Sequence, residues 1–462
     1  MKQTMQEFFT SISGKRIALI GMGRSHLPLI ALFTKYGAKV VACDKRDRDA
    51  LGEAADQAEA DGATLSLGEH YLDDLDVDIA LRTPGMRFYC DELNALRAKD
   101  VEISSEMEVF FRICPCRIIG ITGSDGKTTT TTVISEMLKA QGYTVHLGGN
   151  IGKPLLPEIE TIRPDDIAVV ELSSFQLISM RMSPEIAVVT NLQPNHLDIH
   201  KDMQEYIDSK KNIILYQNNT DKAVLNLDNE ITRSFASECK GNVDCFSRRS
   251  TVENGAYLDD NTIIYAENGK KTEVLHIDDI RIPGMHNVEN YMTAICAVWG
   301  IVSLDNIRKV ARSFSGVEHR AEFVRELDGV KYYNDSIASS PTRTASGTLS
   351  LYDFKIILIA GGYDKHRDYT ELGDIICKKV KTAILMGATA DKIENAIRAS
   401  VNYAENNPVI IRVANMDEAV AAARDNAVSG DIVSMSPASA SFDLYKDFDA
   451  RGKHFKALVN AL

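Results

Sequence analysis

An α/β chain built on three parallel sheets is predicted by two observations. Three segments each open with a continuous apolar run that ends directly in glycine: Arg16 to Gly23, Arg117 to Gly123 and Lys355 to Gly362. Five further runs, Val40 to Cys43, Ile167 to Val170, Ile186 to Val189, Ala383 to Met386 and Ile432 to Met435, are apolar throughout, as in strands covered on both faces. The length agrees, because 462 residues at about 150 per domain make about three domains.

The boundaries expected from this recurrence are 1–112, 113–313 and 314–462. In the first domain, Gly21-Met22-Gly23-Arg24-Ser25-His26 supplies two glycines of a dinucleotide fingerprint, with His26 where the third would stand. Asp44 ends the next strand about 20 residues on, in the place of a ribose-binding acid. Half a fingerprint suits a Rossmann-like domain for a nucleotide diphosphate. Cys114-Pro115-Cys116 then breaks the chain. In the second domain, Val133, Ile134, Met137 and Leu138 repeat on one face of a helix that Gly142 stops. Residues 220–280 carry short pieces, Ala223 to Leu225 and Thr262 to Tyr265, and a hairpin signal at Glu253-Asn254-Gly255, which predicts a small antiparallel annex. The third domain reads as a second Rossmann-like sheet. Ligands gather beyond the carboxyl ends of such strands, so Asp44, Glu171, Thr190-Asn191, Gly387 and Ser436 mark where chemistry is expected.

Composition excludes several classes. Lys and Arg total 52 against 65 Asp and Glu, a net charge of −13, which argues against nucleic acid and anionic membranes as partners. No apolar run approaches the roughly 18 residues that span a bilayer, and Glu7, Lys15 and Arg16 interrupt any signal-peptide core. The eight cysteines are scattered, so reduced thiols in a cytoplasmic protein are expected.

The strongest local signal is Gly120 to Thr129, lying between a strand and a helix: Gly123-Ser124-Asp125-Gly126-Lys127-Thr128-Thr129. Glycines let backbone N–H groups wrap phosphate oxygens, the helix N-terminus favours anions, Lys127 reaches the outer phosphates and Thr128 suits Mg²⁺. Glu171, at a strand end, is placed to hold the same ion. His196 and His200 at a four-residue spacing suggest zinc, but no further ligand of suitable spacing follows, and help from His196 to Mg²⁺ is the preferred reading. On the next helix Met203, Tyr206, Ile207, Ile213 and Ile214 form an apolar stripe that includes Lys210. Either that lysine snorkels outward or it is held in a dry site with a lowered pKa.

The loop departs from the strict P-loop pattern, with Ile121 where a glycine is required. In this it resembles the Mur ligase and folylpolyglutamate synthase superfamily, whose loop ends Thr-Asn-Gly-Lys-Thr; Asp125 replaces the Asn. The resemblance extends along nearly the whole chain to the Mur ligases, ATP-dependent amide-bond formers of peptidoglycan synthesis. It implies ATP and two Mg²⁺ sites, with Thr128, Glu171, His196 and a carbamylated Lys210, in Tyr206-x-x-x-Lys210, as ligands. Gly284-Met285-His286-Asn287-Val288-Glu289-Asn290 resembles the segment whose asparagines approach adenine, although Asn287 and Asn290 also fit helix capping. Arg320 resembles the arginine that reaches the γ-phosphate, and Asn334-Asp335-Ser336 the segment that meets the ribose. Alone, Arg320 reads as a surface charge. Some members carry Lys where this chain has Ile337.

The resemblance further implies UDP-N-acetylmuramoyl-L-alanine as acceptor, with Arg24, Ser25, Asp44, Thr83 and Gly85 near UDP and Asn150 near the muramoyl end. No Asp-Asn-Pro-Arg segment of a diaminopimelate site occurs. Gly361 to Lys365, Ser436 to Asp443 and Phe448 resemble a D-glutamate pocket, with Lys365 and Ser441 on the carboxylates, Phe442 beside Ser441, and Phe448 on the carbon chain. The implied route is an acyl phosphate attacked by an amine, and a monomer is expected. Two rival readings remain: an NAD-dependent oxidoreductase using the N-terminal glycines, and a nucleotide-sensing protein without catalysis. A folylpolyglutamate-type ligase would not explain residues 1–112.

Overall fold

The structure, a computed structural model, describes residues 2–195 and 199–462. The chain packs as two compact units, Met1–Asp279 with Val288–Arg312, and Ile280–Asn287 with Ser313–Leu462. Among the described residues three sheets carry the strands, two in the first unit and one in the second.

The first sheet holds β1 (Arg16–Ile20), β2 (Lys39–Asp44), β3 (Thr64–Leu67), β4 (Ile79–Arg82) and β5 (Glu102–Ser104), in the order β3-β2-β1-β4-β5 and all parallel. Because chain order reverses at β1, loops after β1 and β4 flank a crevice at the carboxyl edge. One face is covered by Phe8, Phe9 and Phe33 in a core that continues into the next sheet through Phe110, Leu155 and Ile159. That shared core makes the first two sheets one unit.

The second sheet comprises β6 (Arg117–Thr122), β7 (Val145–Gly149), β8 (Ile167–Glu171), β9 (Ile186–Val189), β10 (Lys222–Asn226), β11 (Asn242–Ser247), β12 (Gly255–Asp259), β13 (Thr262–Glu267) and β14 (Lys270–His276). Its order is β14-β13-β12-β11-β10-β9-β6-β8-β7. The chain runs from β6 outward to β7, back to β8 and then across to β9, so β6 stands at the switch point. The helix Lys127–Gln141 follows β6, buries Val133, Ile134, Met137 and Leu138, and stops at the left-handed Gly142, whose N–H caps Leu138 O.

The expected antiparallel annex is present in β12 to β14, but it begins later than the sequence suggested. Ala223 to Leu225 belongs to β10, which pairs parallel with β9 and β11 inside the main sheet. Within this sheet the antiparallel pairings are β12 with β13 and β13 with β14, which extend the sheet at its edge. Asn254-Gly255 makes no hairpin, because β11 and β12 are parallel. Gly255 is needed there for close approach, since a Cβ would lie 1.9 Å from Cys245 O. One hairpin turn is Asn268-Gly269, both at positive φ, as a tight two-residue turn demands.

The third sheet holds β15 (Glu322–Leu327), β16 (Val330–Asn334), β17 (Ile356–Ala360), β18 (Val380–Leu385), β19 (Val409–Arg412) and β20 (Ile432–Met435), ordered β15-β16-β20-β17-β18-β19. Only β15 is antiparallel. Separate apolar clusters cover its two faces, one around Leu358 and Ile376 and the other around Ile359 and Phe455. Among the described residues no helix is long and apolar enough to cross a membrane.

Candidate functional site

The glycine loop after β6 is locked from beside and below. Gly123 has φ +149, and a Cβ there would lie 1.9 Å from Thr190 Oγ1; Gly126 is left-handed and a Cβ would lie 2.5 Å from Asn290 Oδ1. Ser124 N donates to Asn191 O at 2.8 Å, and Asp125 N donates to Asn191 Oδ1 at 3.0 Å. The Ser124 hydroxyl meets Gln193 O and Tyr206 Oη at 3.0 and 2.9 Å. Lys127 Nζ folds back on Gly123 O and Ser124 O, at 2.9 and 2.8 Å. Thr129 lies in the first turn of the following helix.

Thr128 Oγ1 donates to Glu171 Oε2 at 2.8 Å, while Asn150 Nδ2 donates to Glu171 Oε1 at 2.8 Å. A buried carboxylate beside a threonine hydroxyl at a phosphate-type loop is an oxygen donor set suited to Mg²⁺. Lys210, on the helix Met203–Leu215, is 2% exposed. Its Nζ donates to Thr122 Oγ1 at 3.1 Å and to Gly123 O at 2.9 Å, over the Tyr206 ring. Burial first, and the Lys127 charge second, hold its pKa well below the ordinary lysine range, with Glu171 and Asp125 opposing.

His196 lies outside the described residues. His200 is a packed histidine: its ring stacks on Phe175 with centroids 5.1 Å apart, and its nitrogens meet Ser174 Oγ at 2.9 Å and Glu205 Oε2 at 3.2 Å. Among the described residues no three His, Cys, Asp or Glu side chains converge as a metal cluster. All eight cysteines are free.

At the carboxyl edge of the first sheet, Asp44 is buried and accepts from Met22 N at 2.9 Å and from Arg46 Nε at 2.9 Å. The Arg46 hydrogen bonds lower its pKa to about 2. Thr83 packs against Gly21, where a Cβ would lie 3.2 Å from Thr83 Cγ2, and Gly85 is exposed in the same turn. Arg24 Nη2 reaches Gly152 O at 3.3 Å, joining this edge to the loop that carries Asn150; Ser25 follows in the turn before helix Leu27–Lys35. His26 at the third-glycine position is buried, bonds Gly21 O at 3.1 Å, and burial lowers its pKa to about 4. It ties the glycine turn to the helix as a neutral ring.

Asn290 packs in the first unit, where its Oδ1 accepts from Thr130 Oγ1 at 3.2 Å. Asn287 belongs to the second unit and donates to Pro283 O at 2.6 Å.

The remaining site candidates lie in the second unit, at the carboxyl edge of its sheet. Asp335 is buried, accepts from Thr348 Oγ1, from Ser436 Oγ at 3.2 Å and from Ala321 N at 3.2 Å, and burial raises its pKa. Its carboxylate therefore braces neighbouring loops. Arg320 is exposed beside the buried His319, whose ring is held by Asn334 Nδ2 at 2.9 Å and Asp449 Oδ1 at 3.1 Å. Lys365 Nζ lies 5.4 Å over the Phe442 ring. Ser441 is buried, whereas Tyr363, Phe442 and Phe448 remain exposed. Sequence reasoning missed the buried Arg451 among these loops. Its signal was present, because Phe448, Arg451, Phe455 and Val459 share one stripe of the helix Phe448–Ala461.

Comparison with known proteins shows the family. The Mur ligase middle domain matches residues 121–298, and the Mur ligase glutamate ligase domain matches 319–439. A UDP-N-acetylmuramoylalanine–D-glutamate ligase of Acetivibrio thermocellus is 50% identical over 465 aligned positions, covering 100% of both chains. One of the same name from Clostridium novyi is 48% identical, again over 100% of each. The fold is similar to that of a UDP-N-acetylmuramate–alanine ligase from Thermotoga maritima, with TM-score 0.57 at 15% identity, covering 97% of this chain and 99% of that one. With both family models matching along its middle and C-terminal parts, and relatives of this identity along its full length, the chain belongs to the Mur ligase family.

Proposed function

We propose that the protein joins D-glutamate to UDP-N-acetylmuramoyl-L-alanine in an ATP-dependent ligation that releases ADP and phosphate, a step of peptidoglycan precursor synthesis. The observation that carries this reading is 50% identity, over the whole of both chains, to a ligase of that name. The site supports it with a P-loop lysine, a hydroxyl and carboxylate pair, and a lysine whose charge is disfavoured.

In the first step an oxygen of the L-alanine carboxylate attacks the γ-phosphorus of ATP and ADP leaves. Lys127 and the N–H groups that open its helix are assigned to charge on the moving phosphoryl group, and Arg320 to the same group. Mg²⁺, where bound, neutralises phosphate charge, and Thr128 and Glu171 would hold it with help from His196. Lys210 in its neutral form is a nucleophile toward CO₂; its nitrogen bonds the carbon and loses a proton, and the resulting carbamate, one negative charge shared by two oxygens, would be available to a second Mg²⁺. In the second step the D-glutamate amine attacks the acyl carbon, and the tetrahedral intermediate expels inorganic phosphate. Lys365 and Ser441 are assigned to the carboxylates of D-glutamate, with Phe442 and Phe448 beside its carbon chain. Asn287 and Asn290 are assigned to adenine and Asp335 to the ribose side. Arg24, Ser25, Asp44, Thr83, Gly85 and Asn150 are assigned to the UDP-muramoyl substrate.

We assign the domains as 1–112, 113–313 and 314–462, in a cytoplasmic monomer. Arg320 and Lys365 belong to a different unit from Lys127, and we infer that the second unit moves toward the P-loop when substrates bind. Small-angle scattering with an ATP analogue and both substrates should show compaction; its absence counts against that motion. The decisive assay is phosphate release from ATP with UDP-N-acetylmuramoyl-L-alanine and, in turn, D-glutamate, L-glutamate, L-alanine, L-lysine and meso-diaminopimelate. Turnover with D-glutamate alone is expected. Turnover with another amino acid instead would overturn the specificity.

A further inference from the structure

We propose that Arg451 is a positioning residue that holds three strand-end loops of the second unit against one another and thereby sets the geometry of the D-glutamate pocket; this rests on the pocket reading above. Arg451 projects from the helix Phe448–Ala461 and is 1% exposed. Its Nε donates to Ser336 Oγ at 3.1 Å and its Nη2 to Ser336 O at 2.9 Å, in the loop after β16. Its Nη1 donates to Ser439 O and Ala440 O, both at 3.1 Å, in the loop after β20. Ala440 O also accepts Tyr363 N at 2.8 Å, which ties in the loop after β17. Gly362 completes the packing, for a Cβ there would lie 3.1 Å from Arg451 Nη1 and 2.2 Å from Ala440 O. Ser336 Oγ in turn donates to Phe448 O at 2.7 Å, which closes the cage on the first turn of the helix.

These partners are all carbonyl and hydroxyl oxygens. Burial lowers the Arg451 pKa to about 10, with Asp443 opposing, so the guanidinium keeps its charge at neutral pH. A buried cation is costly, and an apolar side chain would fill the same space at less expense in solvation. What an apolar side chain cannot do is fix the direction of carbonyls in two loops at once. The planar fork of arginine can, and the single ammonium of lysine cannot. The residues assigned to substrate follow these anchors directly: Ser441 is next to Ala440, Lys365 lies two residues beyond Tyr363, and Phe448 carries the carbonyl that Ser336 bonds.

The test compares Arg451→Lys, Arg451→Ala and Lys365→Ala in the full chain, reading KM for D-glutamate, kcat, and calorimetric affinity for UDP-N-acetylmuramoyl-L-alanine. Both Arg451 variants should raise KM for D-glutamate by about tenfold or more, with kcat falling less and UDP-substrate affinity within about twofold of wild type. Millimolar ethylguanidinium should recover D-glutamate affinity in Arg451→Ala and leave Lys365→Ala unchanged. Equal losses for all substrates, without recovery by ethylguanidinium, would overturn the proposal and mark Arg451 as a folding residue only. A raised KM in Lys365→Ala with none in the Arg451 variants overturns the positioning role alone. An unchanged KM in all three overturns the pocket reading and the positioning role with it.

Discussion

The P-loop region of the first unit and the strand-end loops of the second each bury a cation on the inward stripe of a helix, Lys210 in one and Arg451 in the other. Lys210 faces Thr122 Oγ1 and Gly123 O with the Lys127 charge nearby, and its pKa is driven far down. Arg451 faces carbonyls of separate loops and stays protonated. An amine can shed its proton and react, whereas a guanidinium in a protein keeps its charge. Burial thus yields a chemical group in one region and a geometric anchor in the other.

The sharpest way to break this contrast is at the P-loop. Lys127→Ala should lower kcat by about 10²–10³-fold, because a charge placed on the moving phosphoryl group is lost. Binding of UDP-N-acetylmuramoyl-L-alanine by calorimetry should persist, since its assigned residues do not include Lys127.

Lys210→Met should abolish most turnover and yet raise the melting midpoint. Between its lowered native pKa and the unfolded value of about 10.4, the native state binds fewer protons at this lysine than the unfolded chain does, so its cost to stability grows as pH falls. The midpoint gain of the variant, about 2–4 °C for each kcal/mol recovered, should therefore shrink toward alkaline pH. A variant that melts lower than wild type near neutral pH would show that the bonds to Thr122 and Gly123 outweigh the desolvation of Lys210.

In the second unit Lys365→Ala should raise KM for D-glutamate by about tenfold, a smaller effect because this lysine is exposed. Unchanged kinetics would move the carboxylate contact elsewhere.

The smallest effect is expected away from both sites. Glu106 is buried, accepts Leu156 N at 3.0 Å, and burial raises its pKa to about 7. Its native pKa lies above the unfolded value of about 4.3, so its contribution to stability is retained below that value and falls as pH rises toward 7. Glu106→Gln keeps an acceptor for Leu156 and should melt higher than wild type near pH 8 but not near pH 4.5. Parallel melting curves across that range would place the pH dependence elsewhere.

Much of this architecture was legible in residue order. Apolar runs ending in glycine became β1, β6 and β17, because strands buried on both faces admit no alternation and their ends need turns tight enough to meet a helix. The loop from Gly123 to Thr129, Glu171 at its strand end and Lys210 on its stripe were also visible. The antiparallel annex was misjudged at its start, because a short apolar piece such as Ala223 to Leu225 fits either ladder, and pairing with β9 decides it. Asn254-Gly255 has the composition of a hairpin turn, yet the approach of Cys245 O, a non-local contact, is what requires the glycine.

By itself, then, the sequence determined the periodic strands, the P-loop and its order relative to the acid and the lysine, since each depends on neighbours within a few residues. Only the tertiary structure decided which polar groups are used internally. Asp335 braces Thr348 and Ser436, and His200, one of the pair whose spacing suggests zinc, is bonded to Ser174 and Glu205. Arg451, which no motif singles out, proves to be buried between loops over 100 residues apart. Desolvation and hydrogen bonding depend on what folds against a side chain, and those partners come from distant strand ends brought to one edge of a sheet.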